Sequence, residues 1–181
     1  MVTLVVLAVL VAIALPNFRG PMRRNNVATQ VNNLLADLQY ARSEAISTRS
    51  LVSLCPRKLA ATAADTTCAS STKTFDAGWL VYTATTSGKA FDASGTGQSL
   101  LHVTAPPDTV SIRADSNVIP TFNARGELAG ALDGIFWVCS KASSGQSEIG
   151  ESTRSIPGKQ VIVAASGRVS SSDIVAGGSC E

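Results

Sequence analysis

The fold turns on residues 1–24, MVTLVVLAVLVAIALPNFRGPMRR. Met1 to Leu15 carry one hydroxyl and no charge; the run stops at Pro16, and Arg19, Arg23 and Arg24 follow. Three readings compete. A cleaved signal peptide calls for a charged segment ahead of the apolar one and a small-residue cleavage site, and Ala14-Leu15-Pro16-Asn17-Phe18 is a poor context for cleavage. A buried core helix commonly has an apolar run of roughly 10–14 residues, but such a helix keeps a polar face and this run has none. The third reading is a membrane helix entered part-way: about six more apolar residues upstream would bring it to the roughly 20 that span a bilayer.

The next residues favour the third reading. Val27, Val31, Leu34, Leu35, Leu38, Ala41, Ala45 and Ile46 recur at the spacing of one helical face, while Asn32, Asp37, Gln39, Arg42, Ser43 and Arg49 fall largely elsewhere. No glycine or proline intervenes between Met22 and Pro56, so Pro16, Gly20 and Pro21 are the candidate kinks of the first fifty residues. The pattern predicts one helix over residues 1–50, with 1–15 as its membrane segment. Unbroken, it would reach roughly 75 Å, more than a domain of this size is wide. Such a helix serves as an anchor, a stalk or an assembly element.

Beyond Leu51 the period changes. Ser50–Cys55, Trp79–Thr83, Ser99–Val103, Thr109–Arg113, Val118–Phe122, Gly134–Cys139 and Lys159–Val163 read as short strands, and Ser87-Gly88, Ser94-Gly95, Pro106-Pro107-Asp108, Arg125-Gly126 and Ser166-Gly167 as turns between them. The expected class is therefore α+β: a long helix packed on a C-terminal antiparallel β-sheet domain over residues 51–181. Residues 58–73 and 140–158 read as loops, the second as an insertion.

Composition restricts the chemistry. The 181 residues carry a net charge of +2, which by itself demands no polyanionic partner, and one histidine and four cysteines leave little for catalysis. Cys55, Cys68, Cys139 and Cys180 are too far apart for a zinc site, and His102 lies in a predicted strand with no motif around it. Two disulfides in an oxidising compartment fit better. Of three possible pairings, the expected one closes the Ala/Thr-rich loop with Cys55–Cys68 and pins the tail with Cys139–Cys180. The positive-inside rule would put the arginine flank in the cytoplasm; the cysteines put the same flank outside, and they decide. Glu44 reads as a packing or salt-bridge residue, and Gly78, Gly88, Gly95 and Gly97 as turn residues rather than a phosphate cradle. No catalytic residue, metal or cofactor is expected.

Here the sequence resembles a known family. Val2-Thr3-Leu4 through Pro16-Asn17-Phe18 looks like the N-terminal helix of type IV pilins and type II secretion pseudopilins. Their mature chains begin just upstream of the position matching Met1, so the cleavage glycine, the methylated first residue and the family's glutamate would precede it; a misassigned start or a trimmed chain would account for this. Asn32–Ile46, Val52-Ser53-Leu54-Cys55-Pro56, Gly78–Tyr82, Thr121–Gly126 and Val161–Val169 resemble the GspH/FimT/FimU type.

The resemblance implies a pilin-like fold and a structural role: a minor pilin that helps to prime and cap a type IV pilus. Its helix would be stored in the inner membrane and later packed among the helices of other minor and major pilins, with Pro16, Gly20 and Pro21 setting kinks. The head would be periplasmic at first and then stand at the pilus tip or in a pseudopilus. A GspH-like pseudopilin of a type II secretion system is the second reading. A third is DNA capture, which in FimT-type pilins uses a C-terminal Gly-Arg-x-Arg motif. This chain reads Gly167-Arg168-Val169-Ser170, so Arg168, with Lys159 and Arg154 nearby, is the candidate DNA contact, offset by Glu148, Glu151 and Asp173.

Overall fold

Valines, leucines and alanines three and four positions apart form helix α1, Arg19–Thr48. Its inward residues Val27, Val31, Leu34, Leu38, Ala41 and Ala45 are each at most 2% exposed. The computed structural model describes residues 19–58, 66–69, 71–130, 133–142, 149–178 and 180–181; the apolar run 1–15 and Pro16 lie outside the described residues. Among the described residues no helix is long and apolar enough to cross a membrane. Gly20 and Pro21 stand in the first described turn of α1. Ile46, expected on the inward face, is 46% exposed; it lies one step round from Ala45, over Gly126, where an added Cβ would stand 2.7 Å from its Cδ1. The helix stops at Thr48 without a glycine or proline. Arg49 takes a left-handed φ of 51°, a conformation that helix ends usually give to glycine.

Eight strands follow: β1 (Leu51–Pro56), β2 (Trp79–Ala84), β3 (Leu100–Thr104), β4 (Val110–Ala114), β5 (Thr121–Phe122), β6 (Gly134–Ser140), β7 (Lys159–Val163) and β8 (Val169–Asp173). They divide into two antiparallel sheets ordered β3-β2-β1-β5 and β4-β6-β7-β8. Two sheets rather than one let each turn an apolar face toward the helix. Val52, Leu54, Trp79 and Val81 from the first join Ile112, Phe136, Val138, Val161 and Val163 from the second and the inward side chains of α1 in one core. Phe75 meets Phe136 edge-on at 5.2 Å. On its far face the first sheet carries a smaller cluster of Cys55, Leu80, Tyr82 and Ala84.

Two strands depart from expectation. Of the predicted Val118–Phe122, only Thr121 and Phe122 pair with β1; Pro120 has no amide to give a ladder and instead accepts from Leu54 N at 3.0 Å. Strand β8 was not expected, since Val-Ser-Ser-Ser-Asp has one apolar residue. Its register with β7 sets it, from Lys159↔Asp173 to Val163↔Val169. The connecting turn depends on Gly167, where φ is +77° and an added Cβ would stand 1.7 Å from Gly126 O.

Candidate functional site

Helix α1 presents two chemically different faces. Its charged side chains in the middle turns bend toward the head. Asp37 Oδ2 accepts from Trp79 Nε1 at 2.7 Å and from Thr104 Oγ1 at 2.6 Å, which fastens α1 to β2 and β3. His102 Nε2 is 3.7 Å from Asp37 Oδ1 and its side chain is 51% exposed, so it flanks this clamp on an edge strand. Farther along, Arg42 Nε donates to Gly126 O at 3.0 Å. At the start of the helix Arg23 Nη2 donates to Ala142 O at 2.9 Å, and Asn26 Nδ2 to Thr109 Oγ1 at 2.9 Å. Glu44 is half-buried, and its carbonyl accepts from the hydroxyls of Ser47 and Thr48.

The opposite face is different. Between Asn25 and Ser47 every exposed residue of α1 is uncharged: Asn25, Thr29, Asn32, Ala36, Gln39 and Ser43 run along it, with Asn33, Tyr40, Ile46 and Ser47 beside them. Solvated helix faces normally carry charge, because charged side chains stay hydrated at little cost. This face instead costs little to desolvate along more than six turns. Tyr40, 41% exposed, is its large amphipathic side chain, a residue type favoured in interfaces.

The basic residues singled out from the sequence do not converge. Arg168 is exposed on the β7–β8 turn, where its carbonyl accepts from Ala164 N. Lys159 lies at the other end of β7, about 13 Å away along the strand, and its Nζ is 2.5 Å from Asp173 Oδ1. The Lys159 ammonium, by hydrogen bond and by charge, holds the Asp173 carboxyl below the usual carboxylate range. Arg154 is exposed in the loop before β7. The neighbouring Gly167 packs on Gly126, where Arg42 also lies; Arg125 pairs with Glu127 at 2.8 Å.

Cys55 is bonded to Cys68, closing the loop after β1, and Cys139 to Cys180, fixing the C-terminus to the end of β6. Gly150 and Gly158 pack directly against Cys139. Among the described residues no group of three or more His, Cys, Asp or Glu could hold a metal ion. Besides the Asp37 clamp, sequence reasoning missed a buried charge cluster. Asp76 Oδ2 is 2.8 Å from Lys141 Nζ and 3.3 Å from Arg113 Nη2, and its Oδ1 accepts from Ile112 N at 2.8 Å. Asp76 and Lys141 are almost fully buried. Nothing local in Phe75-Asp76-Ala77 or Ser140-Lys141-Ala142 signals a buried charge; the partners meet only when β4 and β6 pair.

Comparison with known proteins agrees with this arrangement. The family described as type II transport protein GspH matches residues 30–167. No curated protein matches the chain. A crystal structure of the type IV minor pilin FimU from Pseudomonas aeruginosa strain PAO1 is similar with a TM-score of 0.57 and 22% identity, covering 87% of this chain and 97% of that one. A second FimU crystal form gives 0.55 and 21%, covering 85% and 99%. At these identities the likeness is one of fold: a helix packed on antiparallel sheets.

Proposed function

The chain belongs to the GspH family, and from that premise we propose that it is a minor pilin, a non-catalytic structural subunit that helps to prime and cap a type IV pilus. The charge-free outward face of α1 carries this reading. Between Asn25 and Ser47 the helix turns Asp37, Arg42 and its core side chains toward the head, and what it leaves outside is an uncharged strip that another subunit's helix or head would cover at small desolvation cost. Residues 1–15 would store the subunit in the inner membrane and later pack among the helices of other minor and major pilins. The same surface would serve a GspH-like pseudopilin in a type II secretion system; wild-type complementation distinguishes the two by whether pili or secretion returns.

The test is a charge placed on the strip. In a strain lacking the gene, Ala36→Arg is expected to restore neither pili nor secretion, although the purified variant unfolds like the wild type, since Ala36 is exposed. Full complementation by Ala36→Arg would sink the proposal.

A further inference from the structure

Each sheet has two edges, and folds guard such edges with bulges, charges or covering segments, because unpaired backbone groups attract foreign strands. Among the described residues three of the four are guarded. Along β4, Phe75 N donates to Ile112 O at 2.9 Å and Ala114 N to Lys73 O at 2.8 Å, so residues 73–75 close that edge. Along β5, Asn123 N donates to Glu127 O and Ala129 N to Thr121 O. Strand β3 bulges at Leu101, between the pairs Val81↔His102 and Tyr82↔Leu100, and Asp37 clamps its end at Thr104.

Strand β8 has none of these devices. Its register with β7 is unbroken, it holds no proline or lysine, and Ser170, Ser171, Ser172 and Asp173 are all exposed. In an antiparallel ladder, alternate residues turn both backbone groups toward the same neighbour. Ile174 N donates to Gly158 O and Ala164 N to Arg168 O, which fixes the phase. Ser170 and Ser172 therefore bond to β7, and Val169, Ser171 and Asp173 point their N–H and C=O groups away from it. No hydrogen bond among the described residues reaches those groups.

Helix α1 runs beside this edge. At one end Arg42 Nη2 is 3.5 Å from Ser166 O; at the other Arg24 lies within reach of the Asp173 carboxyl. Residues 24 and 42 are about five helical turns apart, so they mark one line along α1, roughly 27 Å of helix beside roughly 20 Å of strand. The core side chains lie on one side of that line. On the other, about 60–140° round the helix, lie Asn25, Thr29, Asn32, Ala36, Gln39 and Ser43, the uncharged strip. Strand β8 and the strip thus meet in a corner, and between its end charges β8 is uncharged too.

We propose that an extended segment of a neighbouring pilin subunit adds to β8 as a fifth strand of the second sheet. The inference rests on the reading of the strip as a subunit interface. A row of free backbone groups is matched by another extended backbone, and the strip beside it is the surface given to a neighbouring subunit. The added strand lies about 4.8 Å beyond β8, pairs with Val169, Ser171 and Asp173, and sets every second side chain on the strip. Those side chains are uncharged, and no proline stands where the segment must donate. Backbone pairing supplies the attachment and the strip the selection.

Ser171→Pro deletes one outward N–H and leaves the ladder to β7 intact, a substitution that edge strands tolerate. In the strain lacking the gene it is expected to lower pili or secretion about tenfold, the order of one lost buried hydrogen bond. The purified full chain should unfold like the wild type. Full complementation by Ser171→Pro overturns the added strand. If Ala36→Arg still fails to complement, the strip reading then stands alone; if it too complements, both fall. Should the proline variant unfold early, a benzophenone amino acid in place of Ser170 or Ser172 decides. Irradiated in the complemented strain, each is expected to bond to one extended stretch of another pilin, at sites about two residues apart. Adducts on a helix, adducts on a second copy of this chain, or no adduct at all would overturn the proposal.

Discussion

Tyr82 shows how much one buried group sets the conditions under which the head is stable. Its hydroxyl donates to Lys89 O at 2.7 Å from within the smaller cluster, and burial pushes its pKa up to about 12 despite the opposing hydrogen bond with Ser53. The folded value exceeds the unfolded one of about 10, so this contribution is complete below that pH and is lost as pH rises toward 12. Urea midpoints measured across this window should fall for the wild type more steeply than for Tyr82→Phe; parallel curves would show that Tyr82 is not responsible. Arg168 is the residue on which DNA capture would depend. With Ser170 in place of a second arginine and Lys159 paired to Asp173, duplex DNA is expected to bind no tighter than roughly 10⁻⁴ M at physiological salt. A micromolar complex that Arg168→Ala weakens, with a salt slope lower by about one, would make DNA capture the leading function.

Between elements, a single carboxylate supplies the hydrogen bonds that tie α1 to β2 and β3. Asp37→Ala removes the acceptor for the Trp79 indole and the Thr104 hydroxyl, and leaving a buried indole N–H unpaired should cost about 1–3 kcal/mol. Equilibrium unfolding checks this; a loss below the error of the method would mean that water replaces the carboxylate. The same clamp shows what a sequence makes legible. The inward face of α1 could be read because burial imposes a period of 3.6 on Val27 to Ala45, whereas Trp79 to Ala84, covered on both faces, was legible from its β-branched and aromatic residues rather than from alternation. Asp37 gave no such signal, because its partners lie on strands distant in the chain. Asp76, Lys141 and Arg113 were invisible for the same reason. Strand β8 was unreadable because its serines are placed by the ladder to β7 rather than by their own propensity, and Pro120 shortened β5 by withholding an amide. The outward face of α1 was in the sequence throughout, but its meaning appeared only once Asp37 and Arg42 were found turned toward the head.

For the whole molecule, the proposed role would have the two faces of α1 separate folding from assembly. A chain starting near Met22 keeps the core residues from Val27 onward and removes the apolar run, so it is expected to be soluble and monomeric once oxidised, whereas the full chain needs detergent. Light scattering of the two forms checks this, and aggregation of the correctly oxidised short form would contradict it. The core also has a temporal side. Val27 to Ala45 are covered in large part by Phe136, Val138, Val161 and Val163, which emerge last during synthesis. At about 5–20 residues per second, the inward face of the helix waits on the order of 6–24 s for its cover. During those seconds the helix is an amphipathic ribbon whose apolar side stands uncovered until the late strands arrive.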